Sequence, residues 1–151
     1  MATMMRFVMS VRQEEAPAPP AFYNGAQQMN AREFDILVER AVGAIPARFR
    51  KRLNNVAFVV EPEPPAAGLL GLYEGRPLTS RSVSDGFTMP DRITIFQGPH
   101  ERLARDRRHL EQLLKDTVWH EVAHYFGMDE RRVRRAERAR KARGKRQKLS
   151  R

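Results

Sequence analysis

Two histidines four residues apart, with a glutamate directly after the first, are the residues of this chain best suited to chemistry: His120-Glu121-Val122-Ala123-His124. On a helix, a four-residue step turns the side-chain direction by about 40° and advances it by about 6 Å. Both imidazoles then leave one face and can share a single tetrahedral ion. Glu121 stands one step round that face, where its carboxylate reaches a water beside the ion rather than the ion itself. Neutral imidazole with carboxylate suits zinc, and three protein ligands leave one position for a water whose pKa falls to about 7. Glu121 is then the general base, and it can hand the proton to a leaving amine. The expected reaction is hydrolysis of an amide.

The competing explanation of such a pair is structural: two core histidines with their ring nitrogens bonded to neighbours. The sequence after the motif argues for the site. Gly127 follows where the chain must leave the helix, and carboxylates come next at Asp129 and Glu130. A glycine turn can bring one of them back beneath the histidine pair.

Several elements must position these residues. Leu103, Leu110, Leu113, Leu114, Thr117, Val118 and Phe126 recur at helical spacing, so a long helix over residues 101–126 is expected to carry the motif. A second amphipathic helix starts at Asn30, a good cap, and buries Phe34, Leu37, Val38, Ala41 and Val42 before Gly43 and Pro46 end it. A short basic helical turn through Phe49 and Leu53 leads to the β-branched apolar run 56–60, which reads as a buried strand. Residues 69–73 suit another short strand, and 92–97 alternate as a strand broken by Pro99.

The 151 residues amount to one domain plus tails. No cysteine is present, which excludes disulfides, thiolate metal sites and a cysteine nucleophile. No run approaches the roughly 18 apolar residues of a membrane span. The net charge of +10 is unevenly placed, since residues 131–151 hold 12 of the 28 Lys and Arg and a single acid, Glu137. The rest of the chain is close to neutral. This division gives a disordered leader over 1–28, a catalytic domain over 29–130 and a basic tail over 131–151, helical or disordered, with almost no apolar face and no core partner. The short, arginine-interrupted apolar start does not suit a secretory signal, so a cytoplasmic protein is expected.

At this point the chain resembles a family. The string HEVAHYFGMDE is similar to the extended HExxHxxGxx(D/E/H) signature of zincin metallopeptidases. With LLGLYEGRPLTSRS and MPDRITIFQGP upstream, it resembles the small bacterial zincin-like proteins sometimes called mini-zincins. The resemblance runs from about Met29 to Glu130. It implies a compact α+β domain in which a small sheet packs on the active-site helix, with one Zn2+ held by His120, His124 and a third ligand ten residues after the first. That position is Glu130, with Asp129 as the alternative. The methionine turn that floors the site in larger relatives is missing, because no Met follows Met128. The implied substrate is a peptide or protein.

Other residues carry two readings each. Tyr73, Glu74 and Arg76 in a glycine-rich stretch could border the cleft and stabilise an oxyanion, or simply make turns and pack. The segment 93–96 could be an edge strand that takes up an extended peptide, or a core strand. Trp119 and Tyr125 are expected to pack, and His100 and His109 to lie at the surface or cap a helix. The basic tail suits nucleic acid or another polyanion, or serves only to solubilise. Two functions compete with the zinc peptidase: a metal-dependent ribonuclease and a non-catalytic zincin-like module with a nucleic-acid-binding tail. Glu121 favours the peptidase over the ribonuclease.

Overall fold

The computed structural model describes residues 6–7, 29–82, 86 and 89–149, and for 6–7 and 146–149 the backbone alone. In chain order the elements are β1 (Arg6–Phe7), α1 (Ala31–Gly43), α2 (Ala47–Arg50), β2 (Val56–Glu61), β3 (Gly71–Glu74), β4 (Asp91–Phe96), α3 (Gln97–Leu103), α4 (Arg107–Tyr125) and α5 (Glu130–Leu149). The expected leader lies outside the described residues, save for the two-residue strand β1 within it. No helix among the described residues is long and apolar enough to cross a membrane.

The sheet order is β1-β2-β4-β3. β1 and β2 pair in parallel, β2 and β4 likewise with Phe58 opposite Ile93, and β3 runs antiparallel to β4 with Leu72 opposite Thr94. β2 and β4 are interior strands; β2 reads as a continuous apolar run, while β4 alternates Ile93 and Ile95 with Arg92 and Thr94. Helices α1 and α4 lie on one face, and the core of Phe34, Leu37, Val38, Phe58, Ile93, Ile95, Leu114, Val118 and Val122 fills the space between them and the sheet. The domain is thus the compact α+β arrangement expected, a small sheet against the motif-bearing helix and the N-terminal helix.

Asn30 begins α1 with a capping box: its side chain accepts from the Glu33 N–H at 2.9 Å, and the Glu33 carboxylate accepts from the Asn30 N–H. The helix expected over 101–126 is two helices. Pro99 falls in the first turn of α3, where its missing N–H costs nothing, and α3 ends at Leu103. Asp106 then starts α4 afresh, its carboxylate accepting from the His109 N–H at 2.7 Å.

Two further expectations are corrected. His100 is fully buried rather than at the surface, its Nδ1 2.7 Å from the Phe96 carbonyl and its Nε2 2.9 Å from the Thr117 hydroxyl. A carbonyl only accepts, so Nδ1 carries the proton and Nε2 takes the hydroxyl hydrogen. The basic segment after Glu130 does have a core partner: Val133 is fully buried, and Arg140 is ion-paired with Asp116 of α4. One buried apolar residue and a few polar contacts dock α5 on α4, an arrangement too sparse to appear as an amphipathic pattern.

Candidate metal centre

α4 and α5 form an antiparallel hairpin around a tight turn, and the turn sets the site. Gly127 has φ +82°, in the left-handed region that glycine adopts without strain. Its N–H donates to the His124 carbonyl at 2.9 Å, and the Met128 N–H donates to the Ala123 carbonyl at 3.0 Å. This is a Schellman closure, and it reverses the chain within four residues of His124. Asp129 then caps α5, its carboxylate accepting from the Arg132 N–H at 2.8 Å. Glu130, one residue on, points back across the turn to the histidine pair.

His120, His124 and Glu130 bring one ligand atom each to within 4.8 Å of one another. Glu130 Oε2 lies 3.3 Å from His120 Nε2 and 3.4 Å from His124 Nε2. The structure therefore gathers Glu130 to the pair and commits Asp129 to the helix cap.

The donor set fits a divalent cation. His124 Nδ1 lies 3.0 Å from the Met128 carbonyl oxygen, an acceptor, so Nδ1–H donates and a neutral ring leaves Nε2 with a lone pair. His120 Nδ1 likewise faces Glu137 Oε1 at 3.0 Å. Both Nε2 lone pairs then meet a carboxylate oxygen, three acceptors turned on one point. A cation satisfies all three at once. The ligand-to-ligand edge of a tetrahedral zinc site with bonds of about 2.0 to 2.1 Å is roughly 3.3 Å, the same as the observed contacts to Glu130.

The Glu137 contact was invisible in the sequence. Glu137 is the single acid among the cations of 131–151, and that oddity was the one available signal. A carboxylate on the outer nitrogen of a metal-ligating histidine fixes its tautomer and ring orientation. The Met128 carbonyl does the same for His124, and its place is set by the glycine turn.

Glu121 points from α4 toward β3 and is 7% exposed. Burial pushes its carboxyl above the usual carboxylate range, against the pull of His120 and His124 and of a hydrogen bond from the Tyr73 backbone. The close approach of β3 depends on Gly71. A Cβ built there would stand 2.8 Å from Thr117 Cγ2 and 2.9 Å from both Cγ and Oε1 of Glu121.

The Tyr73 hydroxyl, weighed for an oxyanion role, is held by a structural partner. The Tyr73 hydroxyl donates to Asp91 Oδ2 at 2.7 Å, and Arg81 is ion-paired with the same carboxylate. The Arg76 N–H approaches Asp91 Oδ1 at 3.5 Å. Burial and the Asp91 carboxylate both raise the Tyr73 phenol well above its ordinary value, so it stays protonated and fixed. Glu74 is paired with Arg92 at 3.2 Å on the exposed side. Trp119 packs edge-on against Phe49, and Tyr125 is buried with its hydroxyl accepting from the Asn54 N–H at 3.1 Å, as expected for packing residues. His109 is half-buried at the start of α4, its Nδ1 accepting from the Arg105 N–H.

The centre opens into a groove of about 910 Å3. Its floor is one face of α4, from Leu113 to His124. One bank is β3 with residues 68–70, and the other is α5. β3 is the edge of the sheet beyond β4, so the edge strand beside the groove is β3; the segment 93–96, for which an edge position was weighed, is interior.

A small sheet backing a helix whose two histidines and a following carboxylate converge on one point defines the zincin class of metallopeptidase fold. The family model described as zincin-like metallopeptidase matches residues 53–139, and the chain belongs to that family. Among curated proteins there is no match. A solved structure described as a conserved hypothetical protein from T. thermophilus is similar, with 27% identity, 65% of this chain and 94% of that chain covered, and a TM-score of 0.45.

Proposed function

We propose that the protein is a zinc-dependent peptidase in which His120, His124 and Glu130 hold the metal and Glu121 is the general base. The observation that supports this most is the convergence of both Nε2 atoms on Glu130 Oε2, with each Nδ1 already committed to an acceptor. Zinc held there would supply Lewis-acid polarisation of a carbonyl and acidify a water to a pKa of about 7. Glu121 takes a proton from the attacking water and returns it to the departing amine nitrogen, so that the amide C–N bond breaks as the C–O bond forms. Its buried position favours that exchange, because a carboxyl raised by desolvation accepts and releases a proton nearer neutral pH. Among the described residues no strand pairs with the outer edge of β3, which offers backbone groups to an extended peptide lying along the groove. Glu137 and the Met128 carbonyl keep both imidazoles aimed. A polyanion contacting the exposed cations of α5 is proposed as a partner separate from the groove.

The test is peptide hydrolysis by zinc-loaded wild type beside Glu121→Gln. Cleavage that falls by at least about a hundredfold in the variant while bound zinc is unchanged is the expected result. Equal cleavage by both would exclude Glu121 as the base.

A further inference from the structure

Besides the two histidines, the groove is lined by five carboxylates, Asp116, Glu121, Asp129, Glu130 and Glu137, and by two cations, Arg134 and Lys141, of which only Lys141 has no carboxylate partner among the described residues. On α5 the lining residues are Glu130, Arg134, Glu137 and Lys141, spaced four, three and four residues apart and so on a single helix face. Arg134 Nε donates to Glu130 Oε1 at 2.9 Å, and Glu137 is taken by His120. Across the groove floor, Asp116 is ion-paired with Arg140 and accepts from Gln112 at 3.1 Å. Asp129 caps α5. Among the described residues no carboxylate pairs with Lys141.

Lys141 stands at a defined end of the groove. Because α5 runs antiparallel to α4, its later turns pass the earlier turns of α4, and the Arg140–Asp116 pair places residue 141 one turn and more from His120. Half-buried Leu69, Leu70 and Leu113 line the same end. At a rise of 1.5 Å per residue, Asp116 and Leu113 lie about 6 and 10 Å along the helix axis from His120. An extended peptide advances about 3.3 Å per residue, so this end receives a group two to three residues from the bond at the metal centre.

We propose that this end of the groove is a subsite for a peptide carboxylate, in which Lys141 pairs with the charge and Leu69, Leu70 and Leu113 cover the aliphatic part of the residue that carries it. The inference rests on the peptidase reading and names its substrate class: peptides with an acidic side chain, or a free C-terminus, two to three residues from the scissile bond. Lys141 lies just beyond the family-matched residues 53–139.

The experiment measures binding, not turnover. Zinc-loaded full-length Glu121→Gln protein is titrated into fluorescein-labelled hexapeptides that carry Glu, Gln or Lys at each position in turn, with free or amidated C-termini. Fluorescence anisotropy is read at low and high salt. Glu is expected to bind about fivefold tighter than Gln at one position, with the gap closing in salt, as for an exposed ion pair. The gap should vanish in Lys141→Ala and turn in favour of Lys in Lys141→Glu. If the amidated peptides lose the preference, the C-terminus is the source; if they keep it, the side chain is. A preference untouched at residue 141, or no preference, or no binding by any peptide, overturns the subsite. Cleavage by the Glu121 protein is scored separately: peptides bound with the expected preference but never cut would reject the peptidase reading and leave the subsite standing.

Discussion

Glu137 Oε1 lies 3.0 Å from His120 Nδ1, so the single acid among the cations of residues 131–151 is spent on a histidine of the candidate metal centre. The carboxylate keeps the proton on Nδ1 and holds the ring with Nε2 toward Glu130. Removing such a partner costs roughly 10- to 100-fold in metal affinity. Glu137→Ala is expected to weaken zinc binding by that factor, read by competition with a chromophoric chelator, while the apo protein melts within a few degrees of wild type. Unchanged affinity would reduce the contact to an incidental surface pair.

The adjacent acids at 129 and 130 separate by function. Glu130→Ala is expected to leave purified protein without stoichiometric zinc, measured by elemental mass spectrometry. Asp129→Ala should keep its zinc and lose about 1 kcal/mol of stability, the usual cost of a helix N-cap. The reverse pattern would exchange the two assignments.

Gly71 lets β3 lie directly on Glu121. A methyl group there meets Thr117 Cγ2 at 2.8 Å and Glu121 Cγ and Oε1 at 2.9 Å, so the strand or the carboxylate must move. Gly71→Ala is expected to cost about 1 to 3 kcal/mol in urea unfolding and to lower kcat with zinc content retained. A variant with wild-type stability and turnover would show that the contact relaxes freely.

His100 makes part of the fold's stability depend on pH. Burial lowers its pKa from the ordinary value of 6.5, against the help of the Phe96 carbonyl, so the folded ring is neutral where the unfolded one already takes a proton. The contribution is whole above about pH 6.5 and is lost as pH falls from there toward the folded pKa, at up to about 1.4 kcal/mol per pH unit. Urea unfolding at pH 7.5 and 5.5 should show a larger drop for wild type than for His100→Gln, which keeps the other three histidines. Equal drops would mean that His100 charges as readily folded as unfolded.

What the sequence determined by itself is what helical periodicity and local turn chemistry fix. A four-residue spacing puts His120 and His124 on one helix face whatever surrounds the helix, and a glycine at 127 allows the left-handed turn that follows. The apolar run of β2, the alternation of β4 and the capped start of α1 were legible for the same reason: each depends on residues close to it in the chain. Asp106 also carried a local capping signal, and the long apolar pattern through it hid the break between α3 and α4.

Only the tertiary structure decided the rest, because each remaining choice joins residues far apart in the chain. Asp129 and Glu130 are alike in chemistry and adjacent, and the docking of α5 by Val133 and Arg140 determines which of them faces the histidines. Glu137 acts 17 residues from His120, and His100 the same distance from Thr117. Which strand is the edge follows from pairing order, which places β4 inside and β3 beside the groove. Sequence patterns record the face that a residue shows, while the partner on that face is set by how the helices and sheet pack.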